Sequence, residues 1–202
     1  MLRVRKEVIQ VIANLAKRRA YFLIKKGWGK EEECEIYQYG CEVIISVLVD
    51  ILLVAVCGLL FHMTGKAFLF YAIFLVLRRY CGGFHAETYL VCNSVFTGIM
   101  LIALLGISYS SMIPIPCMAI VAVISFLIVI RYSPIVHKNK PLTEKEILLY
   151  RRVSIAISGL FLIMVFLIPM FNKEIAAIIM LAMLATTGTM IVSVIQRKEG
   201  EK

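Results

Sequence analysis

Residues 78–92 of this 202-residue chain read R-R-Y-C-G-G-F-H-A-E-T-Y-L-V-C. The segment carries two arginines, two adjacent glycines, a histidine, a glutamate and two cysteines, and long apolar runs flank it on both sides. A polar group surrounded by hydrocarbon costs free energy unless it has a partner or a chemical role. We therefore predict that these fifteen residues carry the function and that the rest of the chain is the frame that holds them.

The composition of the chain indicates an integral membrane protein. Hydrophobic residues make up 61% of the sequence and charged residues only 17%, and the apolar residues come in long blocks without alternation. A soluble domain of this size cannot cover so much apolar side chain with polar surface. The predicted fold class is all-α, a polytopic membrane protein with a single domain at residues 1–202.

Six apolar blocks predict six transmembrane helices. The second block is the shortest. As a helix, its uncharged part at residues 67–77 would cover about 16 Å of a hydrocarbon core about 30 Å thick. The polar segment at residues 78–92 is therefore predicted to begin below the membrane surface, or the bilayer to thin around it. The predicted spans are residues 41–62, 64–80, 94–111, 114–130, 153–171 and 175–195.

The segments outside the spans carry helix signals of their own. Residues 1–30 hold nine Lys or Arg and one acid, a pattern typical of a basic amphipathic helix on the membrane surface, although a solvated helix that only sets topology also fits. Residues 131–152 are predicted to form a loop, in which Thr143 and Glu146 form a capping box that opens a short helix feeding the fifth span. Pro114 and Pro116 suit the first turn of the fourth span.

The distribution of Lys and Arg predicts the orientation in the membrane. The amino-terminal segment, the loop at residues 131–152 and the tail at residues 197–202 are basic, whereas the other connections are not. Cytoplasmic segments retain positive charge. Both termini and residues 78–92 are therefore predicted to lie on the cytoplasmic side of a cell membrane.

Cys92 and His85 are the minimal parts of a cysteine nucleophile and its base. Their spacing of seven returns both to nearly one face of an ideal helix but separates them by about 10 Å along the axis, too far for a hydrogen bond. Gly82 and Gly83 can turn the chain so that His85 folds back over the helix that holds Cys92. The pair therefore requires that the two residues do not share one straight helix.

Each of these residues also has a simpler interpretation. His85 fits a hydrogen-bonded interface histidine, and Cys92 fits a small buried hydrophobe. Cys81 is a second-ranked nucleophile and His137 a weak alternative base.

The charged residues of the segment are equally open. Arg78 and Arg79 are most simply determinants of topology, and one of them could also pair with Glu87, Glu42 or a substrate carboxylate. The spacing of His85 and Glu87 matches the H-x-E of zinc deaminases, but the P-C-x-x-C that completes that site is absent. We therefore predict no metal, no cofactor and no disulfide framework.

The run R-R-Y-C-G-G-F-H-A-E-T-Y-L-V-C resembles the signature of the accessory gene regulator B family, the AgrB-like membrane peptidases of quorum sensing. The likeness extends to the chain length, the six spans and the basic amino-terminal segment. It implies a cytoplasmic-side cysteine endopeptidase that cuts the carboxy-terminal tail from an AgrD-like propeptide through a thioester and promotes cyclisation to a thiolactone or lactone. The catalytic histidine and cysteine of the family correspond to His85 and Cys92, and two functionally sensitive positions correspond to Arg78 and Gly83.

The same resemblance implies a homodimer, and it would place Glu42 at a polar position that orients the catalytic pair. The basic segments would attract an acidic propeptide and anionic lipid, and no nucleic acid is predicted as a partner. Two other classes also fit the residues. One is a small transporter or peptide-binding membrane protein in which Asp50 and Glu42 line a path, and the other is a non-catalytic scaffold or sensor.

Overall fold

The computed structural model describes residues 34–83, 89–135 and 143–200. These residues form α-helices and two short 3-10 helices, Ser110–Met112 and Ile168–Met170, and none of them lies in a β-strand. The all-α prediction is confirmed, whereas the predicted surface helix at residues 1–30 lies outside the described residues. The α-helices are α1 (Cys34–Leu60), α2 (Thr64–Cys81), α3 (Tyr89–Ser108), α4 (Ile115–Tyr132), α5 (Glu144–Leu167) and α6 (Lys173–Gly200).

The chain divides into two compact units. One comprises Met1–Val56 and Ala86–Thr97, and the other comprises Cys57–His85 and Gly98–Lys202. The first unit contains most of α1 and the beginning of α3. The second contains α2, the rest of α3 and the whole of α4, α5 and α6.

Helix α6 is the centre of the second unit. Of its apolar window 61% is buried, against 17% for α5, and it packs against α2, α4 and α5. The small residues Ala176, Ala177 and Ala182 are buried on it, and small side chains let neighbouring helices approach closely. The apolar windows of α4, α5 and α6 are similar in hydropathy, so only the packing identifies α6 as the central helix.

Short connections between helices contact one another at one end of the second unit, which we call the turn end. Ser108 Oγ lies 3.8 Å from Met63 Sδ, which joins the turn before α2 to the end of α3. Lys66 Nζ contacts Glu174 Oε1 at 2.7 Å, and Lys173 Nζ donates to the carbonyl of Ser111 at 2.7 Å. These contacts join residues in or next to three connections, α1–α2, α3–α4 and α5–α6.

The opposite end of α2 meets the end of α4 and the beginning of α5, and we call this the basic end. The Tyr80 and Tyr150 rings lie 5.6 Å apart, and Ile135 N donates to the carbonyl of Cys81 at 3.0 Å. The Lys and Arg residues at these three helix ends are Arg78, Arg79, Arg131, Lys145, Arg151 and Arg152. The helices of the unit therefore run between a strongly basic end and a turn end with few charges.

Among the described residues, four helices are long and apolar enough to cross a membrane. Their windows are Val91–Ser108, Ile115–Tyr132, Glu144–Met170 and Lys173–Gln196, and α1 contributes the shorter apolar segment Ile44–Leu60. Helix α2 has 18 residues, with Lys66 near its start and Arg78 and Arg79 in its last turn. The chain is a helical membrane protein, as predicted.

The predicted loop at residues 131–152 contains the short helix that Thr143 was expected to open, and this helix feeds the fifth span as predicted. Helix α4 continues to Tyr132, and α5 begins at Glu144, well before the predicted span at residue 153. Lys145, Arg151 and Arg152 lie exposed on the first turns of α5. A helix can continue beyond the hydrocarbon core, and long basic side chains remain solvated there.

Several helices extend beyond the predicted membrane spans. Helix α1 begins at Cys34 instead of residue 41, α3 at Tyr89 instead of residue 94, and α6 extends from Lys173 to Gly200. The α-helical part of the fifth span ends at Leu167 and is followed by a 3-10 turn that contains Pro169. Hydropathy locates the apolar part of each helix, whereas hydrogen bonding continues into polar residues.

The predicted capping box at the beginning of α5 is confirmed. Glu146 N donates to Thr143 Oγ1 at 3.4 Å, and Thr143 N donates to Glu146 Oε2 at 2.8 Å. Pro116 occupies the first turn of α4, as predicted, whereas Pro114, also predicted there, is the N-cap residue that precedes the helix. These local signals were accurate because they depend only on neighbouring residues.

We expect Thr143→Ala to lower the free energy of unfolding by about 1 kcal/mol, since it removes the side-chain acceptor for a helix amide. Thermal unfolding in detergent micelles measures this loss. Thr143→Ser keeps the hydroxyl and is the control, with most of the wild-type stability expected. An equal loss in both variants would show that the capping hydrogen bond is not the cause.

Candidate active site

The polar segment singled out in the sequence begins in the last turn of α2. Arg78 is half-buried, and its guanidinium carbon lies 5.6 Å from the centre of the Phe74 ring, within the range of a cation–π contact. Arg79 is exposed. The two arginines therefore differ in their surroundings, and Arg78 is the one held in place by packing.

The predicted chain break at the glycine pair is present. Helix α2 ends at Cys81, and Gly82 has φ 77° and ψ −169°. This region of backbone space is accessible essentially to glycine alone. Gly82 N donates to the carbonyl of Arg78 at 3.1 Å, which closes the last turn before the chain leaves the helix axis.

Both glycines are packed tightly against other elements of the second unit. A Cβ atom built on Gly82 would lie 2.5 Å from the carbonyl oxygen of Ile135, and one built on Gly83 would lie 2.8 Å from Thr189 Oγ1. The pair therefore serves two purposes, turning the backbone and admitting two neighbours to distances that a side chain would prevent.

A cluster of buried hydroxyl groups lies beside this turn. The Ser133 and Ser154 Oγ atoms are 2.6 Å apart, Ser154 Oγ donates to the carbonyl of Arg151 at 2.9 Å, and Ser158 Oγ donates to the carbonyl of Ser154. Ser133 also hydrogen-bonds the Cys81 side chain. Sequence reasoning missed this cluster, because isolated serines in apolar runs show no spacing that identifies their partners.

Cys92 is the fourth residue of α3 and lies in its first turn, half-buried. Cys81, the second-ranked nucleophile, is fully buried, so its sulfur cannot meet a peptide carbonyl unless the surrounding helices open. None of Cys41, Cys57, Cys81, Cys92 and Cys117, the cysteines whose side chains are described, takes part in a disulfide. Burial therefore favours Cys92 over Cys81.

Several predicted site residues lie outside the described part of the chain. His85, Glu87 and His137 belong to the segments that are not described, and the side chain of Glu42, a residue of α1, is not described either. The proposed pairing of His85 with Cys92 therefore stays a prediction. Asp50, which the transporter interpretation uses, is half-buried in α1.

The four described helices long enough to cross a membrane, together with the glycine break at the end of α2, define a polytopic membrane protein with a candidate site in the polar segment that begins there. The family model described as "Accessory gene regulator B" matches residues 16–194. The chain belongs to this family.

Two relatives from Clostridium perfringens support the assignment. A protein of strain SM101 described as AgrB-like is 30% identical over 138 residues, which cover 65% of this chain and 64% of the relative. A protein of strain 13 described as AgrB-like protein 2 is 29% identical over 159 residues, covering 75% of this chain and 74% of the relative. No solved structure matches the chain.

Proposed function

We propose that this protein is a membrane cysteine endopeptidase that cleaves the carboxy-terminal tail from an AgrD-like propeptide and promotes cyclisation of the remainder. One observation supports the proposal most directly. The half-buried thiol of Cys92 lies in the first turn of α3, the helix that follows the glycine pair in the chain. Membership of the accessory gene regulator B family supports the substrate class.

The proposed chemistry begins when the Cys92 thiol gives its proton to the His85 imidazole and the thiolate attacks the peptide carbonyl before the tail. The carbon–nitrogen bond then breaks, and His85 returns the proton to the departing amine. The acyl group remains on Cys92 as a thioester. A thiol or hydroxyl of the substrate attacks this thioester, its proton passes to the Cys92 sulfur, and the ring closes as a thiolactone or lactone.

The remaining residues of the segment have supporting roles in this proposal. Gly82 and Gly83 turn the chain toward His85, and Arg78 binds a carboxylate of the substrate or of Glu87. Glu42 orients the catalytic pair. The fixed position of Arg78 over the Phe74 ring supports its part, because a pre-positioned guanidinium loses little freedom when it binds a carboxylate.

We further propose six crossings with both termini and the basic end in the cytoplasm of a bacterial cell. The clustering of Lys and Arg at one end of the second unit supports this orientation, since cytoplasmic segments retain positive charge. Helix α2 has 18 residues, about 27 Å in length, and its terminal Lys66 and Arg78 can reach the two interfaces. A site at its end would lie close to the hydrocarbon and be shielded from water, which protects a thioester from hydrolysis.

The proposed partners are an AgrD-like propeptide, anionic lipids and a second copy of the chain. The formal net charge is +9, which attracts acidic peptides and anionic headgroups alike. The homodimer rests on the family resemblance.

Tail release in proteoliposomes tests the proposal. We expect the full-length protein, mixed with the propeptide encoded beside its own gene, to release the tail as a separate species in mass spectra. Protein-free vesicles are the control. Propeptide that stays intact would contradict the peptidase assignment, and propeptide that enters the vesicles uncut would favour a transporter instead.

A further inference from the structure

We infer that Ser133, in the segment after α4, is a positioning residue that fixes the point at which the catalytic segment leaves α2. This inference rests on the proposed function and deepens it. Ser133 lies far from Cys92 in sequence, and nothing in the resemblance assigns it a role. The contacts that carry the inference all lie within the second unit of the chain.

The first contact is made by the backbone next to Ser133. Ile135 N donates to the carbonyl of Cys81 at 3.0 Å. The last carbonyls of a helix have no partner within the helix, so this hydrogen bond attaches the segment after α4 to the carboxyl end of α2. Ile135 also approaches Gly82 so closely that a Cβ atom there would lie 3.0 Å from Ile135 N.

The second contact is made by the Ser133 side chain, which is 5% exposed. Its hydroxyl group hydrogen-bonds Ser154 Oγ at 2.6 Å and also the Cys81 side chain. Because Ser154 uses its only proton on the carbonyl of Arg151, the Ser133 hydroxyl is the donor to Ser154. Ser133 therefore joins the last residue of α2 to α5.

Together these contacts determine the direction of the chain two residues before His85. Ile135 lies against Gly82, and Thr189 of α6 lies against Gly83. Cys81 is hydrogen-bonded to Ser133 through its side chain and to Ile135 N through its carbonyl. A proton transfer to a base requires the heavy atoms to lie within about 3 Å, so a small change in this direction is enough to slow the reaction. Ser133 would act on the rate of chemistry and not on substrate binding.

A purely structural role for Ser133 predicts a different pattern of effects. Removing one partner of a buried hydrogen bond destabilises a protein, whereas replacing both partners by apolar groups can be nearly neutral. If Ser133 only stabilises the fold, Ser133→Ala/Ser154→Ala should therefore recover stability and activity together. If it positions the segment, activity should stay low while stability recovers.

The experiment compares the wild-type protein, Ser133→Ala and Ser133→Ala/Ser154→Ala in proteoliposomes, with the propeptide encoded beside the gene as substrate. We expect kcat to fall about tenfold in both variants and KM to stay within about twofold. Thermal unfolding should recover in the double variant. Ser125→Ala is the matched control, since Ser125 of α4 is also a buried serine. It lies about 12 Å from Ser133 along the helix axis.

A second measurement does not need the substrate. Alkylation of Cys92 by N-ethylmaleimide, followed by mass spectrometry of the peptide, should show a step in rate between about pH 6 and pH 7 where an adjacent imidazole titrates. We expect this step to weaken in both Ser133 variants and to persist in Ser125→Ala. Wild-type kcat and an unchanged step in Ser133→Ala would overturn the inference. A wild-type protein that releases no tail would instead contradict the proposed peptidase. The alkylation profile would still test the role of Ser133 in that case.

Discussion

Cys92→Ala should abolish tail release, with a fall in rate on the order of 10³-fold or more, because the variant has no nucleophile to form the acyl-enzyme. The substitution removes one sulfur atom from a half-buried position in the first turn of α3, and alanine favours helix. The thermal unfolding of the variant should therefore stay close to that of the wild-type protein. Mass spectrometry of the propeptide after incubation measures the loss.

Cys117→Ala is the matched control for this variant. Cys117 is exposed in the first turn of α4, so the same atom is removed from an equivalent place on another helix, and full activity is expected. His85→Ala should also slow tail release, by about 10²- to 10⁴-fold, through loss of the general base.

Two outcomes would contradict the assignment of the nucleophile. Unchanged release in Cys92→Ala would eliminate Cys92. Loss of release in Cys81→Ala, with normal unfolding and an active Cys92→Ala, would transfer the role to Cys81 despite its burial.

Gly82→Ala is expected to cause the second large effect, a loss of about 3 kcal/mol of stability together with loss of tail release. Gly82 has φ 77° and ψ −169°, a conformation in which a side chain is strained. The added Cβ would lie 2.5 Å from the carbonyl oxygen of Ile135. Relief of this overlap requires the segment after α4 to move, which breaks the hydrogen bond from Ile135 N to Cys81.

Gly65→Ala separates this effect from the general cost of changing a glycine. Gly65 lies in the first turn of the same helix, and a Cβ atom there meets nothing within 4 Å. Alanine stabilises a helix by roughly 0.5–1 kcal/mol relative to glycine, so this variant should be as stable as the wild-type protein or slightly more stable. Thermal unfolding and tail release are measured on both variants. Equal behaviour of the two would mean that the approach of Ile135 does not constrain Gly82.

The difference between the glycines illustrates what sequence can reveal. The pair at residues 82 and 83 predicted a chain break because glycine readily adopts positive φ, and α2 ends there. The sequence did not predict that Ile135 and Thr189 would fill the space beside the pair. That depends on which residues distant in sequence approach the turn.

The beginning of α5 shows the reverse situation, in which a local signal was sufficient. Thr143 and Glu146 marked the beginning of the helix correctly. The helix that they open continues without a break into the fifth span. Hydrogen bonding sets the helix bounds, and hydropathy sets only the part that can lie in hydrocarbon.

The sequence by itself determined the class of this protein, its helical content and the segment that bears the candidate chemistry. Composition, periodicity, glycine and capping signals act over a few residues or over the whole chain, so they can be read without knowing contacts. Only the tertiary structure decided that α6 is central, that Cys81 is enclosed, and that Ser133 and Ile135 hold the end of α2. The physical reason is that burial and hydrogen bonding between helices depend on which faces meet, and an apolar helix has little periodicity to show which face that will be.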